Sequence, residues 1–129
     1  MTRSLIVTAA VFGLLGVAIG AFGSHGLAAH FEANPDLRPT FDTASQYHQI
    51  HALALLAAAW LSERGARGRR WAGFAGILFV LGILLFAGSL YGISVLELRW
   101  LGAVAPIGGA ALIGGWLCLG ISGWVAAQQ

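Results

Sequence analysis

Four apolar stretches, at about 5–23, 43–62, 71–91 and 101–124, take up most of the 129 residues and leave this chain little choice of architecture. A helix needs roughly 20 mostly apolar residues to cross the hydrocarbon of a bilayer. Backbone inside lipid must also satisfy its own hydrogen bonds. The expected fold is therefore all-α, an integral membrane four-helix bundle with almost nothing outside the lipid. Hydrophobic residues make up 58% of the chain and charged residues 9%, with a mean hydropathy of +0.81. A soluble domain carries about a quarter charged residues, which argues against a cytosolic protein. Short loops leave no residues for a second unit, so one domain over 1–129 is expected.

Loop charge predicts the orientation. The 62–70 segment holds Arg64, Arg67, Arg69 and Arg70, whereas the loop after the first helix sets Arg38 against Glu32, Asp36 and Asp42. The last loop has only Glu97 and Arg99. Arginine-rich short loops stay cytoplasmic, which puts both termini and the 62–70 loop on the cytoplasmic side. Arg3 agrees. The first apolar run, about 19 residues long, exceeds the roughly 7–15 of a signal-peptide core and is expected to be retained. Trp60, Trp71 and Trp124 then fall at the cytoplasmic boundary and Tyr91 and Trp100 at the outer one, as a headgroup belt requires. Trp116 lies mid-helix and fits neither.

A net charge of +2 is too small to suggest nucleic acid, and the basic pI reflects the one arginine cluster. Cys118 is the only cysteine, so no intrachain disulfide can form; within the fourth stretch it reads as a small packing residue. Of the 19 glycines, Gly13, Gly16, Gly20 and Gly23 keep to one face of the first helix. Others form Gly88-x-x-x-Gly92 and recur along the fourth helix as Gly102, Gly108, Gly109, Gly114, Gly115, Gly120 and Gly123. Small residues at such spacing let helix backbones approach where lipid supplies no hydrophobic drive. They serve either seams within the bundle or a self-association face.

Between the first two crossings, 27–33 either prolongs the first helix or forms a short surface turn. Asn34-Pro35-Asp36 breaks it, and Pro39 with Thr40 or Asp42 as N-cap starts the second helix.

That second helix carries the chemical lead. Its purely apolar part, 52–61, rises only about 15 Å, half of the ~30 Å hydrocarbon core. The crossing must therefore draw Gln46, Tyr47, His48, Gln49 and His51 into the outer part of the membrane. At about 100° per residue, His48, His51 and Ala44 share one face, nearly opposite Asp42, Ser45, Gln46 and Gln49. Unpaired polar groups in lipid cost several kcal/mol each, so one face should turn inward and the other be covered by a loop or headgroups. His25 and His30 lie at and beyond the outer end of the first helix. Ser89 and Tyr91 end the third at the same level, with Glu97 and Arg99 just outside. Pro106 should free the Gly102 carbonyl and kink the fourth helix. The cytoplasmic half holds only Thr8, Ser122 and Cys118 as polar side chains, so an ionisable pathway through the membrane is not expected.

The candidate site is thus a one-sided polar cluster of His25, His30, Tyr47, His48, His51, Ser89, Tyr91 and Arg99, serving either to bind a ligand or to fix the end of the bundle. His48 and His51 stand i, i+3, so a metal could bridge them with His25 or His30, or a haem could lie between facing histidines. No HExxH, CxxC or carboxylate pair accompanies them. The Gly20–Gly26 run follows no strand, which excludes a nucleotide loop. Ser24 and His25 point ~100° apart and lack an orienting third group, which excludes a hydrolase triad. The arginine loop sets orientation first and attracts anionic lipid second.

Three segments carry a resemblance. They are Gly20-Ala21-Phe22-Gly23-Ser24-His25-Gly26-Leu27; Phe41-Asp42-Thr43-Ala44-Ser45-Gln46-Tyr47-His48-Gln49-Ile50-His51-Ala52-Leu53-Ala54-Leu55-Leu56; and Phe86-Ala87-Gly88-Ser89-Leu90-Tyr91 with Leu101-Gly102-Ala103-Val104-Ala105-Pro106-Ile107-Gly108-Gly109. Together they resemble the small membrane protein family called domain of unknown function 423, whose animal relatives include transmembrane protein 256. Ser24 departs from it, standing where a small alanine is more usual. The resemblance spans nearly the whole chain and implies a bacterial four-helix membrane protein; it implies no activity. The functional expectation is a non-enzymatic membrane protein whose outer polar pocket binds a small ligand, lipid headgroup or partner, with no cofactor. The alternatives are a metal- or haem-binding membrane protein and an accessory subunit of a larger membrane complex. The expected partners are the bilayer and a second copy or another membrane protein.

Overall fold

A computed structural model describes residues 1–128. Its elements are α1 (Thr2–His25), α2 (Ala28–Ala33), α3 (Arg38–Leu61), α4 (Ala66–Gly82), a π-helical turn (Ile83–Ala87), α5 (Gly88–Leu96), a 3-10 turn (Arg99–Ala103) and α6 (Ala105–Ala126). No strand occurs among the described residues. Three segments are long and apolar enough to cross a membrane: Thr2–His25, Ala66–Leu96 and Arg99–Ala126. At 24 residues α3 matches them in length but not in apolarity, because Arg38, Asp42, Gln46, His48, Gln49 and His51 crowd its first half.

α4 packs along α6 and α1 along α3, while α3 joins the two pairs through α4, the π turn and α5. Each seam puts a large side chain over a glycine: Phe41 over Gly23, Leu5 over Gly76, Leu112 over Gly82 and Phe79 over Gly115. Gly108 is the least forgiving position, because a Cβ there would run into the backbone of Leu85 and Phe86 in the π turn rather than into a side chain. Dispersion at such close approach is what holds helices together in lipid. Phe79 and Leu55, both fully buried, centre the core.

Every predicted helix is present; the first three run past the apolar pattern, while the α-helical part of the fourth begins only at Ala105, after a 3-10 turn. α1 begins at Thr2, and α3 begins at Arg38, five residues before the apolar pattern does. No side chain caps α3: Asp42 instead bonds Arg38 at 2.8 Å, and Thr43 Oγ1 donates to the Pro39 carbonyl at 2.9 Å. Tyr91 does not end its helix, which continues to Leu96 and closes on Glu97 in the left-handed region at φ 56°.

Pro106 produces no kink. It occupies the first turn of α6, directly after the 3-10 turn, where its missing N–H would have had no partner in any case. The π turn had no sequence signal. There the Gly88 N–H reaches five residues back to the Ile83 carbonyl, and Ser89 Oγ donates to the Leu85 carbonyl.

Candidate functional site

α3 turns its histidine face inward. Ala44, His48, His51, Ala52, Leu55 and Ala58 form one buried stripe, with His48 only 3% and His51 4% exposed. Of the polar edge beside it, Ser45 and Gln49 meet α1, while Asp42 and Gln46 stay exposed. Gln49 Nε2 donates to the Gly16 carbonyl and to Ser45 Oγ, each at 3.4 Å, and Gly20 lies directly over Ser45 and Gln49. Three of the four α1 glycines thus serve the α1–α3 seam; Gly13 alone faces open space.

His51 is held on both ring nitrogens. Nδ1 donates to the Tyr47 carbonyl one turn back at 2.6 Å, and Nε2 accepts from the Trp116 indole N–H at 3.0 Å. An indole only donates and a carbonyl only accepts, so this pair fixes the neutral ring with its proton on Nδ1. The ring is boxed by Tyr47, stacked at 5.8 Å between centroids, by Phe79 at 5.6 Å and by Trp116 at 6.0 Å. Trp116, which the sequence left unplaced, is therefore the residue that completes this histidine.

His48 is held on one side only. Its Nδ1 shares a hydrogen bond of 3.3 Å with the Tyr91 hydroxyl, which also lies towards Ser45. Its Nε2 is buried without a hydrogen-bond partner. The Phe12 ring packs edge-on against the imidazole at 5.8 Å.

The other predicted site residues divide. His30, on α2, donates from Nε2 to the Ser94 carbonyl at 2.8 Å and so ties α2 to the end of α5. Phe31 beside it is buried against Phe41, which in turn packs on Tyr91. Ser89 is buried and spent on its own helix. His25 is exposed at the end of α1 and does not join His48 and His51; Arg99 is exposed and forms no ion pair among the described residues. No three His, Cys, Asp or Glu side chains among the described residues gather as a metal-holding group. The described structure therefore does not assemble the His25, His48 and His51 set, and the nitrogens of His51 are already engaged.

One cleft borders His51. It occupies about 380 Å³ between α3, the π turn and α6, lined by Tyr47, Ile50, His51, Phe86, Leu112 and Trp116, with Gly109 and Ile113 at its α6 wall. Tyr47 is 40% exposed there, its ring 4.8 Å from that of Phe86, and its hydroxyl has no hydrogen-bond partner among the described residues. Two grooves beside α1, lined by Ile6, Gly13 and Leu53 or by Met1, Gly73 and Leu81, are almost wholly apolar.

Residues 19–109 match the model of the protein family of unknown function DUF423. The chain belongs to the DUF423 family. It is similar to the UPF0382 membrane protein YwdK of Bacillus subtilis, 40% identical over 118 residues that cover 91% of this chain and 93% of that one. The UPF0382 membrane protein C1782.12c of Schizosaccharomyces pombe is 38% identical over 113 residues, 84% of this chain and 91% of that protein. The UPF0382 inner membrane protein YgdD of Escherichia coli is 34% identical over 115 residues, 89% and 85% of the two chains. No solved structure matches the chain. All the site residues predicted for this DUF423 member fall inside the matched stretch, but Trp116 lies beyond it.

Proposed function

We propose that this DUF423 protein is a one-domain, four-helix inner-membrane bundle with both termini cytoplasmic, and that it binds a small amphipathic molecule in the Tyr47–His51–Trp116 cleft. The fourth crossing is α3. Its 24 residues rise about 36 Å, enough for ~30 Å of hydrocarbon, and His48, Gln49 and His51 reach partners on α5, α1 and α6. The arginines between α3 and α4 favour the cytoplasmic placement of that turn.

The cleft itself carries the binding reading. It combines an unpartnered phenol, aromatic edges and an aliphatic wall at one depth, in a volume within the range of small-molecule sites. A ring or headgroup can hydrogen-bond Tyr47 while an apolar tail lies along Ile50, Leu112 and Ile113. Binding rather than catalysis is the role of the histidines here: His51 shapes the back of the cleft, and His48 braces α3 against α5.

The test is native mass spectrometry of protein purified in gentle detergent, with extraction of whatever small molecule travels with it. His51→Ala should lose that molecule and Trp116→Phe should retain less of it, while helical content and membrane insertion stay unchanged. His48→Ala serves as the comparison away from the cleft. If wild-type protein carries nothing and the variants lower only thermal stability, the histidine layer is structural and the binding reading fails.

A further inference from the structure

At the end opposite the histidines, the turn from α3 to α4 carries Arg64, Arg67, Arg69 and Arg70, all exposed. None pairs with a carboxylate among the described residues; the ion pair found there is Arg38–Asp42, at the other end of α3. Even the adjacent Glu63 forms no ion pair. Arg69 is tethered, its Nε donating to the Ser62 carbonyl at 3.2 Å, and Arg70 lies 5.8 Å from the Phe74 ring centre. Arg64 is placed most closely, its guanidinium carbon 4.1 Å from the Trp60 ring centre. A guanidinium engaged through its face keeps its N–H donors for an anion, and its flat fork suits phosphate.

Under this pair lies a cavity of about 210 Å³ bounded by Trp60, Leu61, Arg64, Gly123, Ala126 and Ala127. Among the described residues, the α6 side of the cavity is backbone and methyl groups. Trp60 lines it at 56% exposure, and α6 beyond it carries the exposed apolar side chains of Trp124, Ile121 and Leu117. Uncompensated cations on one side and an apolar track on the other favour an amphiphile over a free ion.

We propose that this cavity binds the phosphate of an anionic phospholipid headgroup. Arg64 holds the phosphate, Arg67 and Arg70 supply flanking charge, and the glycerol and first acyl carbons lie along Trp60, Leu61 and Ala126. The assignment is independent of the Tyr47–Trp116 cleft and of which way the chain is inserted.

Protein reconstituted in nanodiscs and released into native mass spectrometry provides the test. Phosphatidylglycerol should remain bound and phosphatidylcholine should not. Arg64→Gln should weaken retention about fivefold, as expected for one basic group at an anionic membrane surface. Arg64→Lys should recover most of it, and Arg99→Gln at the opposite end should leave it unchanged. Equal retention of the two lipids, or wild-type retention in Arg64→Gln, overturns the site. Displacement of the lipid by inorganic phosphate at matching concentration overturns the lipid assignment in favour of a soluble anion.

Discussion

At the scale of single residues, the histidine layer works through pairs that lie far apart in sequence. Trp116 satisfies His51 across 65 positions and Tyr91 satisfies His48 across 43. Interhelical hydrogen bonds of this kind contribute about 1 kcal/mol in membranes, so each helps fix a partner more than it holds up the fold. Glycine at the least forgiving position matters more. In Gly108→Ala the new methyl meets backbone atoms of Leu85 and Phe86 that cannot rotate away. We expect a loss of about 1–3 kcal/mol, as for an overpacked core, read as a lower unfolding midpoint in detergent. Gly120→Ala, with open space around it, should be neutral or slightly stabilising because alanine is the better helix former.

At the scale of elements, the glycine face of α1 exists to let α3 come close enough for Gln49 to reach the Gly16 carbonyl. That closeness is measurable. A Cβ at Gly20 would stand 3.5 Å from Ser45 Oγ, close enough for a sulfur on each residue to be brought near the other. With Cys118 replaced by alanine, Gly20→Cys with Ser45→Cys should therefore crosslink on mild oxidation, detected by peptide mass spectrometry. Gly13→Cys with Ser45→Cys should not. Absence of the first crosslink in folded protein would mean that α1 packs on another face. The π turn is the second device at this scale. It brings Phe86 against both Tyr47 and Gly109, and so forms one wall of the cleft.

At the scale of the whole molecule, charge is polarised along the helices. The histidine end carries Glu32, Asp36, Asp42 and Glu97 together with Arg38 and Arg99, while the turn at the other end carries four arginines and Glu63. Replacing Arg64, Arg67, Arg69 and Arg70 by glutamine should produce mixed or inverted insertion, since arginine in short loops sets orientation. A C-terminal reporter readable only in the cytoplasm should be active in the wild type and partly silenced in that variant. A silent reporter on the wild-type chain would reverse the proposed topology. Seams between helices with a glycine on one side and a bulky residue on the other tie the elements into one body, which is the basis for proposing a single domain.

Helical class, membrane residence and family were legible in the chain because each depends on local pattern: apolar runs of spanning length and motifs contiguous in sequence. That Ala44, His48 and His51 share a face, and that one polar face of this helix turns inward, was legible too, since periodicity groups them and lipid penalises unpaired polar groups; which face it is was not. The partners of that face were not. The helices around α3 are apolar on nearly all sides, so hydrophobicity does not say which side meets which neighbour, and glycines on several faces leave many docking angles open. Only the packed structure brings Trp116 to His51, leaves His25 outside, closes α2 onto Ser94 through His30 and opens α4 and α5 into a π turn against Gly108. These choices follow from how whole surfaces interlock, a property of pairs of helices that no single stretch of residues contains.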